Sequence, residues 1–255
     1  VSQSRDRSIS AQGIILRRTV WHESSYILDV LTPTQGRISV MAQGVRRPKK
    51  GMEGMFEPLN QCEWQLHNKP ESNWFIMRDV SLHAAHLYQA DVTHSALMQA
   101  AAELLMLMLY DEAEAAQLYK LLTEYLHYVE TTERNGIAVF WRFLLRIALI
   151  FGVPFFLNRC ARCEETRNDF VAYYPQRNGL ICCNCMHPVL KDVVIPLSDE
   201  TCQLFRLLPS IGNHLSEISI SRQSARSITD ILLLHLSEHF HRSIKLKSLE
   251  LYFIV

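Results

Sequence analysis

The sequence predicts a multidomain α+β protein: a small five-stranded barrel at the N-terminus, a helical domain after it, and a cysteine-rich ribbon inserted into the helical part. Three observations predict it. Short segments with alternating polarity, separated by turn residues, fill residues 12–82. Near Leu82 the texture changes, and from Asp91 long segments without Gly or Pro follow, whose apolar residues recur at helical spacing. Five of the seven cysteines fall within residues 157–195, between two helical blocks.

The strand candidates are residues 12–18, 25–31, 37–42, 56–66 and 73–80. Thr32-Pro33-Thr34-Gln35-Gly36 makes a turn between the second and third, and Ile38, Val40 and Ala42 share one face of the third. Five short strands in about 70 residues suit a closed barrel, and the oligonucleotide-binding type is the commonest with five. Residues 44–54 are rich in Gly, Pro, Lys and Arg and read as a loop. Residues 37–50 hold Arg37, Arg46, Arg47, Lys49 and Lys50 and no acid, and Arg17 and Arg18 add two more cations. Such a cluster on a barrel attracts a phosphate backbone, with release of condensed counterions. The alternative is a solvated surface loop. Trp21, Phe56, Trp64 and Trp74 are the candidate platforms for base stacking.

Helices are expected at residues 91–110, 112–130 and 137–151, then at 199–208 and 222–242. The apolar tail, residues 246–255, is expected to dock on the bundle. These boundaries define four segments: a barrel at 1–82, a first helical part at 83–156, the insert at 157–195 and a second helical part at 196–255.

The insert carries the most specific motif in the chain. Cys160-Ala161-Arg162-Cys163 is followed by eighteen residues and then Cys182-Cys183-Asn184-Cys185. This C-x2-C-x18-C-x2-C spacing suits a four-thiolate zinc site, because two residues between cysteines let one tight turn aim both sulfurs at a single ion. Phe170 to Tyr174, a turn at 175–179, and Leu180-Ile181 supply the hairpin that a ribbon needs. The expectation is one structural Zn²⁺ held by Cys160, Cys163, Cys182 and Cys185. A closed set of four thiolates leaves no open position for water, so this site stabilises rather than catalyses. A dithiol redox pair, an iron site and a cluster without metal are the competing readings. Cys183 should point away, and the isolated Cys62 and Cys202 read as small buried apolar side chains.

Composition bounds the rest. The 255 residues are 48% hydrophobic and 20% charged, enough to fill a core and too apolar for intrinsic disorder. Lys+Arg and Asp+Glu balance at 26 each, but residues 1–60 carry nine basic and five acidic side chains, while residues 91–134 carry two and eight. The N-terminal VSQSRDRSIS lacks the apolar run of a secretory signal, so a cytoplasmic, reducing setting is expected for the cysteines. The most membrane-like stretch, residues 137–157, holds Arg142 and Arg146, each costing roughly 2.5–3.5 kcal/mol in a bilayer, so a buried helix is expected instead. No GxxxxGK[ST] motif and no catalytic constellation stand out, and His235, His239 and His241 read as core or surface residues.

The order of these parts resembles the bacterial recombination protein O (RecO) family of DNA repair. Glu23, Tyr26, Leu28, Asp29 and Leu31 lead into the Thr32–Gly36 turn. Ala42-x-Gly44-x-Arg46, the basic run to Lys50, and Phe56-Glu57-Pro58-Leu59 follow. The cysteine quartet, with Phe170 and Gly179 inside it, and the closing Leu246-Lys247-Ser248-x-Glu250-Leu251 complete the resemblance. The chain departs from the family in having Val45, a second Arg at 47 and no Gly after Cys163. The resemblance implies a nucleoid-associated, non-enzymatic recombination mediator that binds single- and double-stranded DNA and anneals complementary strands. It implies loading of recombinase onto DNA coated with single-strand-binding protein (SSB), with a RecR-type partner and no membrane association. It further implies that the helical domain captures the acidic C-terminal tail of SSB, which nominates Arg142 and Arg146. The alternative for these two arginines is intramolecular pairing with the acidic stretch 103–133. The alternative for the whole chain is a zinc-containing protein-interaction scaffold without direct DNA contact, and a thiol oxidoreductase is a third class.

Overall fold

The computed structural model of the chain describes residues 7–47, 51–68, 74–87, 90–187 and 193–254. Lys49 and Lys50 lie outside the described residues. The chain packs as two compact units, one reaching Glu130 and taking in Lys247–Phe253, the other comprising Thr131–Leu246 and Ile254.

In the first unit, β1 (Arg7–Trp21), β2 (Ser25–Thr32), β3 (Gly36–Ala42), β4 (Asn60–Asn68) and β5 (Phe75–Ala85) close a barrel in the order β1-β2-β3-β5-β4. All neighbours are antiparallel except β3 and β5, which run parallel. This is the oligonucleotide-binding architecture that the sequence predicts. β1 is twice as long as its apolar middle suggests because it serves two neighbours. Arg7 to Ile14 pair with β4, and Ile14 to Trp21 pair with β2. A bulge between Ile15 and Arg17 marks the change, and the Ile15 carbonyl there accepts the N–H of Leu59 at 2.6 Å.

Gly13, Ile14, Ile15 and Leu16 are all buried, breaking the alternation, since one face of β1 points into the barrel and the other meets a helix. Gly13 is there for closeness. A Cβ at this position would lie 2.4 Å from Val30 Cγ1 and 3.2 Å from Trp64 Nε1. Ile15, Leu28, Val30, Val40, Trp64 and Leu66 fill the interior. Phe56 is not in a strand as expected. It ends a 3-10 turn, Glu53–Phe56, from which its ring enters the same core.

Two helices follow, α1 (Val92–Leu107) and α2 (Glu112–Thr131). Asp91 caps α1, accepting the His94 N–H at 2.8 Å. A reciprocal box opens α2, with Asp111 Oδ1 accepting the Glu114 N–H at 2.8 Å and Glu114 Oε2 accepting the Asp111 N–H at 2.9 Å. α1 stops at Leu107, three residues before the sequence expectation, and the Arg37 guanidinium reaches its last carbonyls. Tyr125 donates to Leu97 O on α1 at 2.9 Å, and Gln61 of β4 donates to the Tyr119 hydroxyl at 2.8 Å, so α2 is tied to both helix and barrel. The C-terminal tail is itself a helix (Lys247–Ile254), and Glu103 of α1 accepts the Ser248 hydroxyl at 2.8 Å and its N–H at 3.3 Å. A carboxylate at that helix start also meets the positive end of its dipole.

The second unit contains α3 (Gly136–Ile150), α4 (Asp199–Leu207) and α5 (Arg222–His239), with the cysteine insert between α3 and α4; the tail helix above is therefore α6. Trp141 of α3 donates to Thr229 Oγ1 of α5 at 2.9 Å. Glu200 accepts the Ser221 N–H at 2.7 Å and the Ser224 hydroxyl at 2.9 Å, joining the starts of α4 and α5. α5 ends at His239 rather than 242. Among the described residues, no helix is long and apolar enough to cross a membrane.

Candidate metal centre and nucleic-acid interface

Phe170–Tyr174 (β6) and Gly179–Cys182 (β7) form the hairpin of the insert, and Ile195–Pro196 (β8) adds a short third strand. Each end of the hairpin is braced against a cysteine turn. Ala161 N–H donates to Leu180 O at 2.7 Å, and Cys183 N–H donates to Asp169 O at 3.0 Å. The Sγ atoms of Cys160, Cys163, Cys182 and Cys185 consequently all lie within 4.8 Å of one another, the one group of this kind among the described residues. Cys163 and Cys182 are 4.0 Å apart. A tetrahedron with Zn–S bonds near 2.3 Å has edges of about 3.8 Å, so the four sulfurs fit such an ion with minor contraction.

The polar surroundings fit a thiolate set. Cys160 Sγ accepts the backbone N–H groups of Arg162 and Cys182, each at 3.4 Å. Burial opposes ionisation of Cys160, but these N–H groups and that of Cys163 together outweigh it and bring the thiol down to about 6. Burial first, then hydrogen bonding within the cluster, pushes Cys185 up to about 12. Four sulfurs so close repel one another as thiolates, and a divalent cation at their centre removes that repulsion. Arg162 adds a brace, donating to Cys185 O at 2.7 Å.

Cys183 stands outside the cluster, its thiol donating to Asp169 Oδ2 at 2.8 Å. Cys62 and Cys202 are buried, and burial raises both thiols, Cys62 to about 12. Glu164, directly after Cys163, adopts a left-handed backbone with φ 62°.

The arginines of the barrel separate into distinct settings. Arg18 and Arg46 come together over one ring, 4.9 and 5.6 Å from the centroid of Tyr26. Arg18 also pairs with Glu57 at 2.8 Å, and Arg46 donates to the carbonyls of His22 and Glu23 at 3.2 Å each. Arg47 is exposed and has no side-chain partner among the described residues. Arg17, 60% exposed, pairs with Asp29 at 2.7 Å. Arg37 is set apart: it donates to Leu105 O at 3.2 Å and Met106 O at 2.9 Å, approaches Met108 O at 3.4 Å, and lies over the Tyr110 ring.

Of the four aromatic candidates, Phe56 and Trp64 are fully buried and cannot stack on a ligand. Trp21 is 37% exposed and packs edge-on against the half-buried Trp74, with centroids 5.4 Å apart. Sequence reasoning missed Tyr26 and Glu57 as partners of the basic residues. The signal was weak, because a strand Tyr and an isolated Glu carry no spacing information.

On α3, Arg142 is half-buried with no ion-pair partner among the described residues, and Arg146 is exposed. Leu149, three residues on, is 66% exposed, so this stripe of α3 mixes cations with apolar surface. His235 is buried and bonds Val153 O at 2.7 Å, a core role.

A closed oligonucleotide-binding barrel with arginines at its rim, followed along the chain by helices and a four-cysteine ribbon, fits a nucleic-acid maintenance protein. The comparisons with known proteins agree. The family model described as recombination protein O N terminal matches residues 7–85, and that described as recombination protein O C terminal matches residues 89–250. The chain belongs to the recombination protein O family. It is similar to DNA repair protein RecO of Bacillus cytotoxicus, 21% identical over 230 residues that cover 89% of this chain and 90% of that protein. The protein of the same name in Bacillus pumilus is 24% identical over 229 residues, covering 88% and 86%.

Proposed function

We propose that this protein is a non-enzymatic DNA-binding recombination mediator of DNA repair, cytoplasmic and associated with the nucleoid. The barrel holds the backbone of single- or double-stranded DNA through Arg17, Arg18, Arg46, Arg47, Lys49 and Lys50. Neutralised phosphates let complementary strands approach and anneal, a process that makes and breaks no covalent bond. The observation that carries this reading is the gathering of Arg18, Arg46 and exposed Arg47 at one end of an oligonucleotide-binding barrel. Their internal partners do not bar it. The partly exposed Arg18–Glu57 pair contributes about 0–1 kcal/mol, and the carbonyls of His22 and Glu23 engage one guanidinium nitrogen of Arg46, which leaves the other two for a phosphate.

The segments 1–82, 83–156, 157–195 and 196–255 then divide the labour. Arg142 and Arg146, flanked by exposed Leu149, would receive the acidic, apolar C-terminal tail of SSB, bringing the barrel to coated strands where recombinase is loaded with a RecR-type partner. Cys160, Cys163, Cys182 and Cys185 would hold one structural Zn²⁺, whose four bonds fasten the two cysteine turns together.

A salt titration tests the reading. Neutralising five or six phosphates on a single strand gives a slope of log affinity against log salt of roughly −3.5 to −4. A slope near zero rejects it. The scaffold alternative draws on one observation: among the described residues, Arg17, Arg18 and Arg46 already have partners within the chain. Charge reversal at Arg46, Arg47, Lys49 and Lys50 separates the two. The scaffold predicts unchanged DNA affinity, and the mediator predicts its loss.

A further inference from the structure

Trp21 and Trp74 belong to one end of the barrel, and the strand register shows why. Trp21 pairs with Ser25 where β1 turns into β2, and Tyr26 pairs with Ala42 at the end of β3. Val40 of β3 pairs with Phe75, so β5 begins at this same end, with Trp74 immediately before it. The loop after β3 folds back over the β1–β2 turn. Arg46 N–H donates to Ser24 O at 3.0 Å, and its guanidinium holds the carbonyls of His22 and Glu23. Three rings therefore sit beside the basic loop. Trp21 is central, 4.9 Å from His22 at 71° and 5.4 Å from Trp74 at 81°.

This cluster lies at the surface and not in the barrel core. Trp21 leaves 37% of its surface in water, and its neighbour Val20 leaves 58%. The barrel core is filled by other residues, Trp64 and Phe56 among them. What the cluster does achieve is rigidity. Near-perpendicular packing on two sides fixes the indole in one orientation while part of it stays accessible. A flat ligand stacking there does not have to freeze the side chain first. The ligand chemistry follows from the neighbours: an aromatic surface beside Arg46 and Arg47 suits a flat ring carried on an anionic chain.

We propose that Trp21 and Trp74 form a stacking platform for unpaired nucleobases, which makes this end of the barrel prefer single strands to duplex. The proposal rests on the DNA-binding reading above and adds to it the group that is recognised. In a duplex each base already stacks on its neighbours, and exposing one requires unpairing it. The platform therefore engages single strands, whereas the arginines attract either form.

An abasic strand separates stacking from charge, since it has the phosphates of oligo(dT) without its bases. Wild-type protein should bind oligo(dT) roughly 5- to 100-fold more tightly than an abasic strand of equal length. Trp21→Leu and Trp74→Leu should each reduce that preference while leaving abasic binding and the salt slope as they were, and Trp21→Phe should retain most of it. Intrinsic fluorescence gives a second readout that needs no substitution. Trp64 and Trp141 are fully buried, so quenching by oligo(dT) and not by the abasic strand reports on Trp21 and Trp74. Equal affinity of the wild type for the two strands overturns the platform and leaves the charge-based reading standing. So does an equal loss of both affinities in folded Trp21→Leu. If the wild type binds neither strand, the DNA-binding reading falls and the platform with it.

Discussion

Arg37 lies in the acid-free basic run, yet its surroundings give it a different task, and Arg37→Met tests the distinction. One guanidinium nitrogen faces three carbonyls at the end of α1, at 2.9, 3.2 and 3.4 Å. That nitrogen has two hydrogens, so two of the three bonds are well made. Hydrogen bonds to charged groups contribute about 1.5–3 kcal/mol each when buried, and Arg37 is only half-buried, which puts the pair at the lower end, about 2–3 kcal/mol together. The Tyr110 ring, 5.5 Å from the guanidinium carbon, adds about 0.5–1 kcal/mol. The substitution should therefore destabilise the protein by about 2–4 kcal/mol, or roughly 5–15 °C in Tm. Circular dichroism during thermal and urea unfolding measures this. Filter binding at a temperature where the variant is folded should give wild-type DNA affinity and salt slope. The reasoning is refuted if Arg37→Met keeps its stability and instead loses the DNA affinity that Arg46→Met is expected to lose.

Four further outcomes follow from the same geometry. Gly13→Ala places a Cβ 2.4 Å from Val30 Cγ1 and should destabilise the barrel by about 1–3 kcal/mol in urea unfolding. Asp91 is held down to about 2 by the His94 N–H, so its contribution of about 1 kcal/mol is present above pH ~4 and fades as pH falls toward 2. Asp91→Ala should accordingly be less stable than wild type at pH 7, with the difference shrinking as pH falls through 2. Elemental analysis should find one zinc per chain, and Cys163→Ser should speed its release to a chelator while Cys183→Ser does not. Glu164→Gly removes a left-handed non-glycine residue at the loss of an exposed pair with Arg159, and should stabilise the ribbon by about 0.5 kcal/mol, read as slower metal release.

Much of the fold was legible in the chain because local rules carry it. Alternation and turns marked the barrel strands, helical periodicity marked α1 to α5, and the C-x2-C-x18-C-x2-C spacing marked the cysteine cluster. Boundaries were less legible where one element serves two neighbours. The N-terminal end of β1 looks polar and turn-like until β4 is there to pair with it. The tail at 246–255 reads as an apolar extension, and Glu103, 145 residues before Ser248, makes it a docked helix.

By itself the sequence determined which residue types were available: a cluster of cations without acids, four thiols at ligand spacing, and four aromatic candidates for stacking. Only the tertiary structure decided what each one does. It sent Arg37 to a helix end and gathered Arg18 and Arg46 on Tyr26. It buried Phe56 and Trp64 and left Trp21 and Trp74 at the rim. The physical reason is that charge and aromaticity are properties of a residue, whereas exposure and partnership depend on which distant segments the barrel closure brings alongside it.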